Sequence, residues 1–140
     1  MPSSTLTTVY SLVEAIAEKV HNLGSDTLKV ALTNSAPTQS NTVLANITEI
    51  SYTNCSARTL TVSSSAQSSG TYKLVISDLV LTASGGSVGP FRYAVIYNDT
   101  ATNDELIGYY DYGSSITLAD GETLTLDFDG ANGVFTLVFA

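Results

Sequence analysis

Side chains able to do chemistry are scarce in this chain, and their spacing argues against catalysis. One histidine, His21, and one cysteine, Cys55, stand among 140 residues, with no tryptophan and with thirteen carboxylates against five lysines and arginines. A zinc site needs several nitrogen or sulfur ligands, and a hydrolytic triad needs a histidine set between a nucleophile and a carboxylate. Either would have to be built around His21, which falls late in a stretch of helical periodicity and reads as a surface residue favoured there by the helix dipole. The chain carries no Gly-rich phosphate loop and no nucleophile elbow. Carboxylate pairs for glycoside chemistry are formally available among Asp99, Asp104, Glu105 and Asp111. A polysaccharide-cleaving enzyme would draw on a pair such as Asp104 and Asp111, but so acidic a segment makes such pairs by accident. The sequence therefore implies no enzyme and no cofactor.

Two further clusters and one lone residue invite a functional reading. In Asp127-Phe-Asp129-Gly-Ala-Asn132-Gly, alternate carboxylates on one strand face precede a Gly-rich turn, a source of the hard oxygen ligands that calcium takes. Ala131 stands where a third ligand is expected and no bidentate Glu follows, so these are read as exposed carboxylates entering a turn, and no metal site is assigned. Tyr109, Tyr110 and Tyr112 could stack on a sugar, fill a subunit interface or pack in the core, and alternation favours the core for one or two of them. Cys55 is alone, which excludes an intrachain disulfide, and it reads as an inert small residue.

Charge narrows the partners. The formal net charge is −8, and from Asp99 to Asp129 there are eight acidic residues and no lysine or arginine. A phosphate-binding face is excluded on this composition, so nucleic acid is not an expected partner. No apolar run approaches the length of a membrane span and no signal-peptide pattern opens the chain, so a protein that folds in a cytoplasm is expected.

The elements that must position these residues are mostly strands. Phe91, Tyr93, Val95 and Tyr97 alternate with Arg92, Ala94, Ile96 and Asn98, and since neither face is strongly polar this strand is predicted to lie mid-sheet. Strands are predicted at Glu105 to Tyr112 and Ser115 to Ala119, the latter joined by a type I′ Asp120-Gly121 hairpin to a fourth at Glu122 to Asp129. In that last strand Leu124, Leu126 and Phe128 face inward. Further strands are predicted at Thr27 to Thr33, from Leu60 and Val62 to a turn at Gly70, over Tyr72 to Ala83, and over Val134 to Ala140 with Phe135, Leu137 and Phe139 inward. Ser and Thr make up roughly a quarter of the chain, giving it a neutral polar surface that favours strands.

One stretch departs from period two. Val9, Leu12, Val13, Ile16, Val20 and Leu23 recur at spacings of three and four, which predicts an amphipathic helix over about 8–23, with Thr7 or Thr8 as N-cap and Gly24 as the C-terminal glycine. Residues 34–56 have anchors without period and read either as an arm covering a neighbour or as a flap over the domain's own core. A single domain over 1–140 is expected, an antiparallel β-sandwich or jelly-roll-like barrel of seven or eight strands with an N-terminal helix.

The segments LGSDTLKVALTNSAP, NTVLANITEIS, GPFRYAVIYNDT, LIGYYDYGSSITLADGETLTLDF and ANGVFTL resemble a family of small structural proteins of tailed bacteriophages, and the similarity spans most of the chain. The resemblance implies a virion component made in the host cytoplasm and bound to the capsid exterior as a cement or decoration protein, with the major capsid protein as partner and a homo-oligomer, a trimer favoured. The alternative within this resemblance is a tail-associated or receptor-binding module that recognises host glycan. The chain departs from a Gly-rich turn expected after the NITEIS-like segment, carrying Tyr52-Thr-Asn-Cys-Ser-Ala-Arg58 there. Residues with apolar anchors but weak regular structure are the expected partner contacts: Pro2, Ser3 and Leu6 in the N-terminal segment, Pro37, Val43, Leu44, Ile47 and Tyr52 in the long loop, and Tyr110 in the tyrosine cluster.

Overall fold

The computed structural model describes residues 5–138. The chain is mainly antiparallel β, of the sandwich class, with one short helix. Its largest sheet has the order β1-β7-β6-β2, formed by Thr7–Thr8, Leu106–Leu118, Val88–Asn98 and Leu28–Thr33. A second sheet has the order β3-β4-β9, from Val62–Ser68, Thr71–Ile76 and Phe135–Val138, and a two-stranded sheet pairs β5, Leu79–Thr82, with β8, Thr123–Leu126. The helix α1 spans Leu12–Ala17. One apolar core is shared by all three sheets, with Val30, Leu32, Leu74, Leu81, Val95, Ile96 and Ile107 fully enclosed.

The mid-sheet strand lies where its pattern placed it. β6 is flanked by β2 and β7, and Phe91, Ala94, Val95 and Ile96 are buried on alternating faces. Such two-sided burial needs an apolar run that is nearly continuous.

Several boundaries differ from the sequence expectation, each for a local reason. The strands predicted at Glu105 to Tyr112 and Ser115 to Ala119 are one continuous β7. Gly113 takes φ +98, and the register moves from Tyr93↔Asp111 to Phe91↔Ile116, so residues 112–115 bulge out opposite Arg92. The Arg92 guanidinium grips both oxygens of Asp111 at 2.8 and 3.1 Å, and Gly113 N–H donates to Asp111 Oδ1 at 2.8 Å. What resembles a turn is a bulge braced by one carboxylate.

The predicted Asp120-Gly121 hairpin is absent. Glu122 N–H donates to Ala119 O at 2.9 Å, but only Gly121 has positive φ, +87, whereas a type I′ turn needs two such residues. Asp120 Oδ1 instead accepts from Gly85 N–H at 2.9 Å, and β8 leaves to pair with β5. The type I′ pattern occurs at Ser69-Gly70, φ +50 and +84, joining β3 to β4. The inward alternation expected for Leu126 and Phe128 is present, with Leu124 partly covered. In β9, Phe135 is buried and Leu137 half-buried, and Phe139 lies outside the described residues.

The predicted helix over about 8–23 shrinks to six residues. Thr7 and Thr8 pair with Tyr109 and Gly108 as β1 instead of capping, and Ser11 occupies the N-cap. The helix ends because Lys19 takes φ +66, with Val20 N–H on Ala15 O at 2.8 Å and Lys19 N–H on Ile16 O at 3.3 Å. That is the Schellman closure with lysine where glycine is usual. Gly24 therefore caps nothing. Val9, Leu12 and Leu23 still enter the core, but Val13 is 68% exposed.

Gly108 shows why β1 can lie so close. A Cβ there would come 2.6 Å from Thr7 O and 2.9 Å from Leu6 Cγ, both in β1 or next to it. Gly108→Ala is expected to push β1 off β7 and cost about 1–3 kcal/mol. Hydrogen exchange at Val9, whose N–H donates to Ile107 O at 3.1 Å, reads this directly. Unchanged protection of Val9 in the variant would contradict the assignment.

Candidate functional site

The most concentrated polar chemistry in the interior surrounds Asn98, at the end of β6. Its side chain is fully buried, and all of its hydrogen-bonding capacity converges there. Asn98 Oδ1 accepts from Thr100 N–H at 3.0 Å and Ala101 N–H at 3.2 Å, which fixes the amide orientation. Its Nδ2 then donates to Asp26 Oδ2 at 2.7 Å and to His21 Nδ1 at 3.0 Å. Because Nδ1 must accept, the imidazole is neutral and carries its proton on Nε2. Asp26 Oδ2 also accepts from Asn22 N–H at 2.8 Å, and Thr27 N–H donates to Thr100 Oγ1 at 2.9 Å. The cluster therefore clamps the segment between α1 and β2 to the turn between β6 and β7.

His21 is thus a buried residue, 6% exposed, and not the surface residue that the helical reading expected. Burial pushes its pKa below 6.5, against the opposing pull of Glu105, the Leu106 carbonyl and Asp26. Its Nε2 and the Glu105 Oε2 are buried without a hydrogen-bond partner. A histidine whose Nδ1 faces an amide is not a base set against a nucleophile. The cluster is built to hold two loops together.

The residues singled out from sequence are distributed as follows. Pro2 and Ser3 lie outside the described residues. Leu6, Pro37 and Tyr110 are buried in the chain's own interior, Tyr110 with its ring centroid 5.8 Å from that of Phe128, where they present little surface to a partner. Val43, Leu44 and Ile47 come together on one shallow depression of about 520 Å3 that Glu49 and Asp104 complete. Tyr52 stands apart from them. Its hydroxyl donates to Glu49 Oε1 at 2.7 Å and accepts from Leu32 N–H at 2.9 Å, its ring carries the Arg58 guanidinium 3.5 Å from its centroid, and burial raises its pKa.

The long loop is a flap on its own domain. Ile50 N–H donates to Leu32 O at 3.0 Å, Leu106 N–H to Thr42 O at 2.9 Å, Tyr10 N–H to Gln39 O at 2.9 Å and Leu44 N–H to Asp104 O at 3.0 Å. The first of these lies on the outer edge of β2, which Val30 N–H on Arg58 O at 3.0 Å and Leu60 N–H on Leu28 O at 2.9 Å cover further along; the others tie the loop to β7 and its neighbours. Removing Pro2 to Thr8 would accordingly take away buried Leu6 and strand β1, so that deletion is no clean test of a partner contact.

Of the other candidates, Asp129 caps its own turn. Its oxygens accept from the backbone N–H groups of Ala131 and Asn132 and from Asn132 Nδ2, at 2.9 to 3.0 Å, and these bonds hold its pKa below the usual carboxylate range. No group of three or more His, Cys, Asp or Glu gathers as metal ligands among the described residues. Cys55 is half-buried, and burial raises its thiol pKa, which keeps it protonated.

No protein-family model, curated protein or solved structure matches the chain.

The Asn98 cluster generates two expectations. Asn98→Ala takes the acceptor from two partly covered backbone donors and the donor from the buried His21 ring, and should cost about 3 kcal/mol in chemical denaturation. Because the pKa of His21 is lowered in the folded chain, the unfolded chain binds the extra proton. Its contribution is intact above pH 6.5 and is lost as pH falls through that value toward the folded pKa. His21→Gln, which can still accept from Asn98, should flatten the stability curve as pH falls below 6.5. Equal slopes for the two proteins would refute the burial of a neutral His21. The bonded carboxylates Asp111 and Asp129 titrate below 3.8 and do not enter this window.

Proposed function

We propose that this chain is a structural protein of a tailed-bacteriophage virion, acting as a capsid cement or decoration protein on the outer surface of the major capsid lattice. The reading is carried by the resemblance of five segments between Leu23 and Leu137 to that family. The build of the domain is compatible with it. A cement protein must persist without a cofactor, stay soluble at high copy number and attach through small patches on several subunits. An acidic, disulfide-free β domain meets these demands, and the depression lined by Val43, Leu44 and Ile47 is a patch of that kind. The burial of Tyr110 weighs against the alternative of a glycan-binding tail module, since a sugar platform needs an open ring face.

The test is to mix purified protein with capsids lacking it and to image them by cryo-electron microscopy. Regular density over the lattice is the expected result, and bare capsids with protein only on tails or host cells would overturn the assignment. Ala45, exposed at the same depression, supplies a specific check. Ala45→Glu should leave the fold intact and lower lattice occupancy; full occupancy would remove the depression from the contact surface.

A further inference from the structure

The β3 edge of the second sheet, one of its two outer edges, is the part of this surface best suited to another strand. Among the described residues β3 pairs with β4 alone, through Ser68↔Thr71, Gln67↔Tyr72, Ala66↔Lys73, Ser65↔Leu74 and Ser64↔Val75. A two-residue hairpin makes its flanking pair a hydrogen-bonded one, and pairs alternate from there. Ser68, Ala66 and Ser64 therefore turn their backbone groups toward β4. Ser65 and Gln67 turn theirs outward, where no strand receives them.

Edges of this kind are usually guarded by lysine, proline, a bulge or a covering loop. The edge of β2 has such a cover in the irregular chain between Glu49 and Leu60. On β3 the irregularity lies between Val62 and Ser64, leaving Ser64–Ser68 regular, and its side chains are small or neutral. From Thr59 to Tyr72 the chain has no charged residue at all, in a protein of net charge −8. Two copies of so acidic a chain repel over most of their surface, so they can approach closely only where charge is missing.

We propose that β3 is a self-pairing edge: two copies join antiparallel about a two-fold axis at Ala66, making one six-stranded sheet of the order β9-β4-β3-β3-β4-β9. In this register Ser65 of each copy meets Gln67 of the other in hydrogen-bonded pairs, giving about four backbone hydrogen bonds. Ala66 faces its own counterpart in a non-hydrogen-bonded pair, where Cα atoms come within about 4.5 Å and a methyl group fits. The interface is isologous and closes at two, in place of the trimer that the resemblance favours.

The measurement is sedimentation equilibrium over a range of protein concentrations, with two variants of the exposed Ala66. The wild-type chain should be a dimer. Ala66→Cys should cross-link to itself under mild oxidation, seen by non-reducing electrophoresis, whereas the wild-type chain with its half-buried Cys55 should not. Ala66→Lys, which sets two cations opposite each other, should weaken the dimer about tenfold or more without changing the circular dichroism. A monomer at every concentration, a trimer, or a dimer that Ala66→Cys does not cross-link and Ala66→Lys does not weaken would each overturn the proposal.

Discussion

The structure depends first on the burial of β6 on both faces. A strand enclosed above and below must be bonded along both edges, because any backbone group it left unpaired would be cut off from water. β2 and β7 meet that demand, and each then presents an outer edge of its own. The two are closed differently. β7 receives the short β1, drawn in close by the absence of a side chain at Gly108, and β2 is bonded by the irregular chain from Ile50 to Leu60. Much of what looks like decoration around the main sheet is thus a consequence of placing one apolar strand at its centre.

The same constraint explains the Asn98 cluster. Where β6 ends, the chain turns through largely exposed residues over the buried Asn98 side chain, and the turn's backbone donors have no ladder to join. Asn98 supplies the missing acceptor for Thr100 and Ala101, and its amide hydrogens then need acceptors in turn. His21 and Asp26 provide them from a segment more than seventy positions earlier. Each polar group is tolerated because the next one satisfies it, so removing any member leaves a buried charge or dipole behind.

How much of this is legible in the sequence follows from which interactions are local. The centrality of β6 and the inward positions of Leu126 and Phe128 rest on period two, which needs only neighbouring residues. The bulge in β7 was not legible, since Gly113-Ser-Ser has the composition of a turn and only the grip of Arg92 on Asp111 keeps it in the strand. Nor was the early end of α1, because a lysine in the left-handed region has no compositional mark and the apolar spacing runs on past it. In the long loop, Val43, Leu44 and Ile47 were recognisable as anchors, but the surface they would cover was not, because their bonds go to distant strands. The Asn98 cluster was the least accessible: its histidine and asparagine lie far apart, and the histidine taken alone reads as a surface residue.

Four of the five cations show how such a chain manages its charge. Lys29 lies 3.7 Å from Asp99, Arg58 donates to Val30 O and stacks on Tyr52, Lys73 Nζ donates to Ala131 O, and Arg92 holds Asp111. Positive charge is thus largely used within the fold, bracing loops and a bulge, and most of the remaining acidity faces outward. Exposed pairs of this kind add little stability individually. Their larger consequence is that the field seen by an approaching molecule is negative except where carboxylates are missing. Association with any surface that is not itself basic must then proceed through neutral ground, and the charge-free edge of β3 offers such ground.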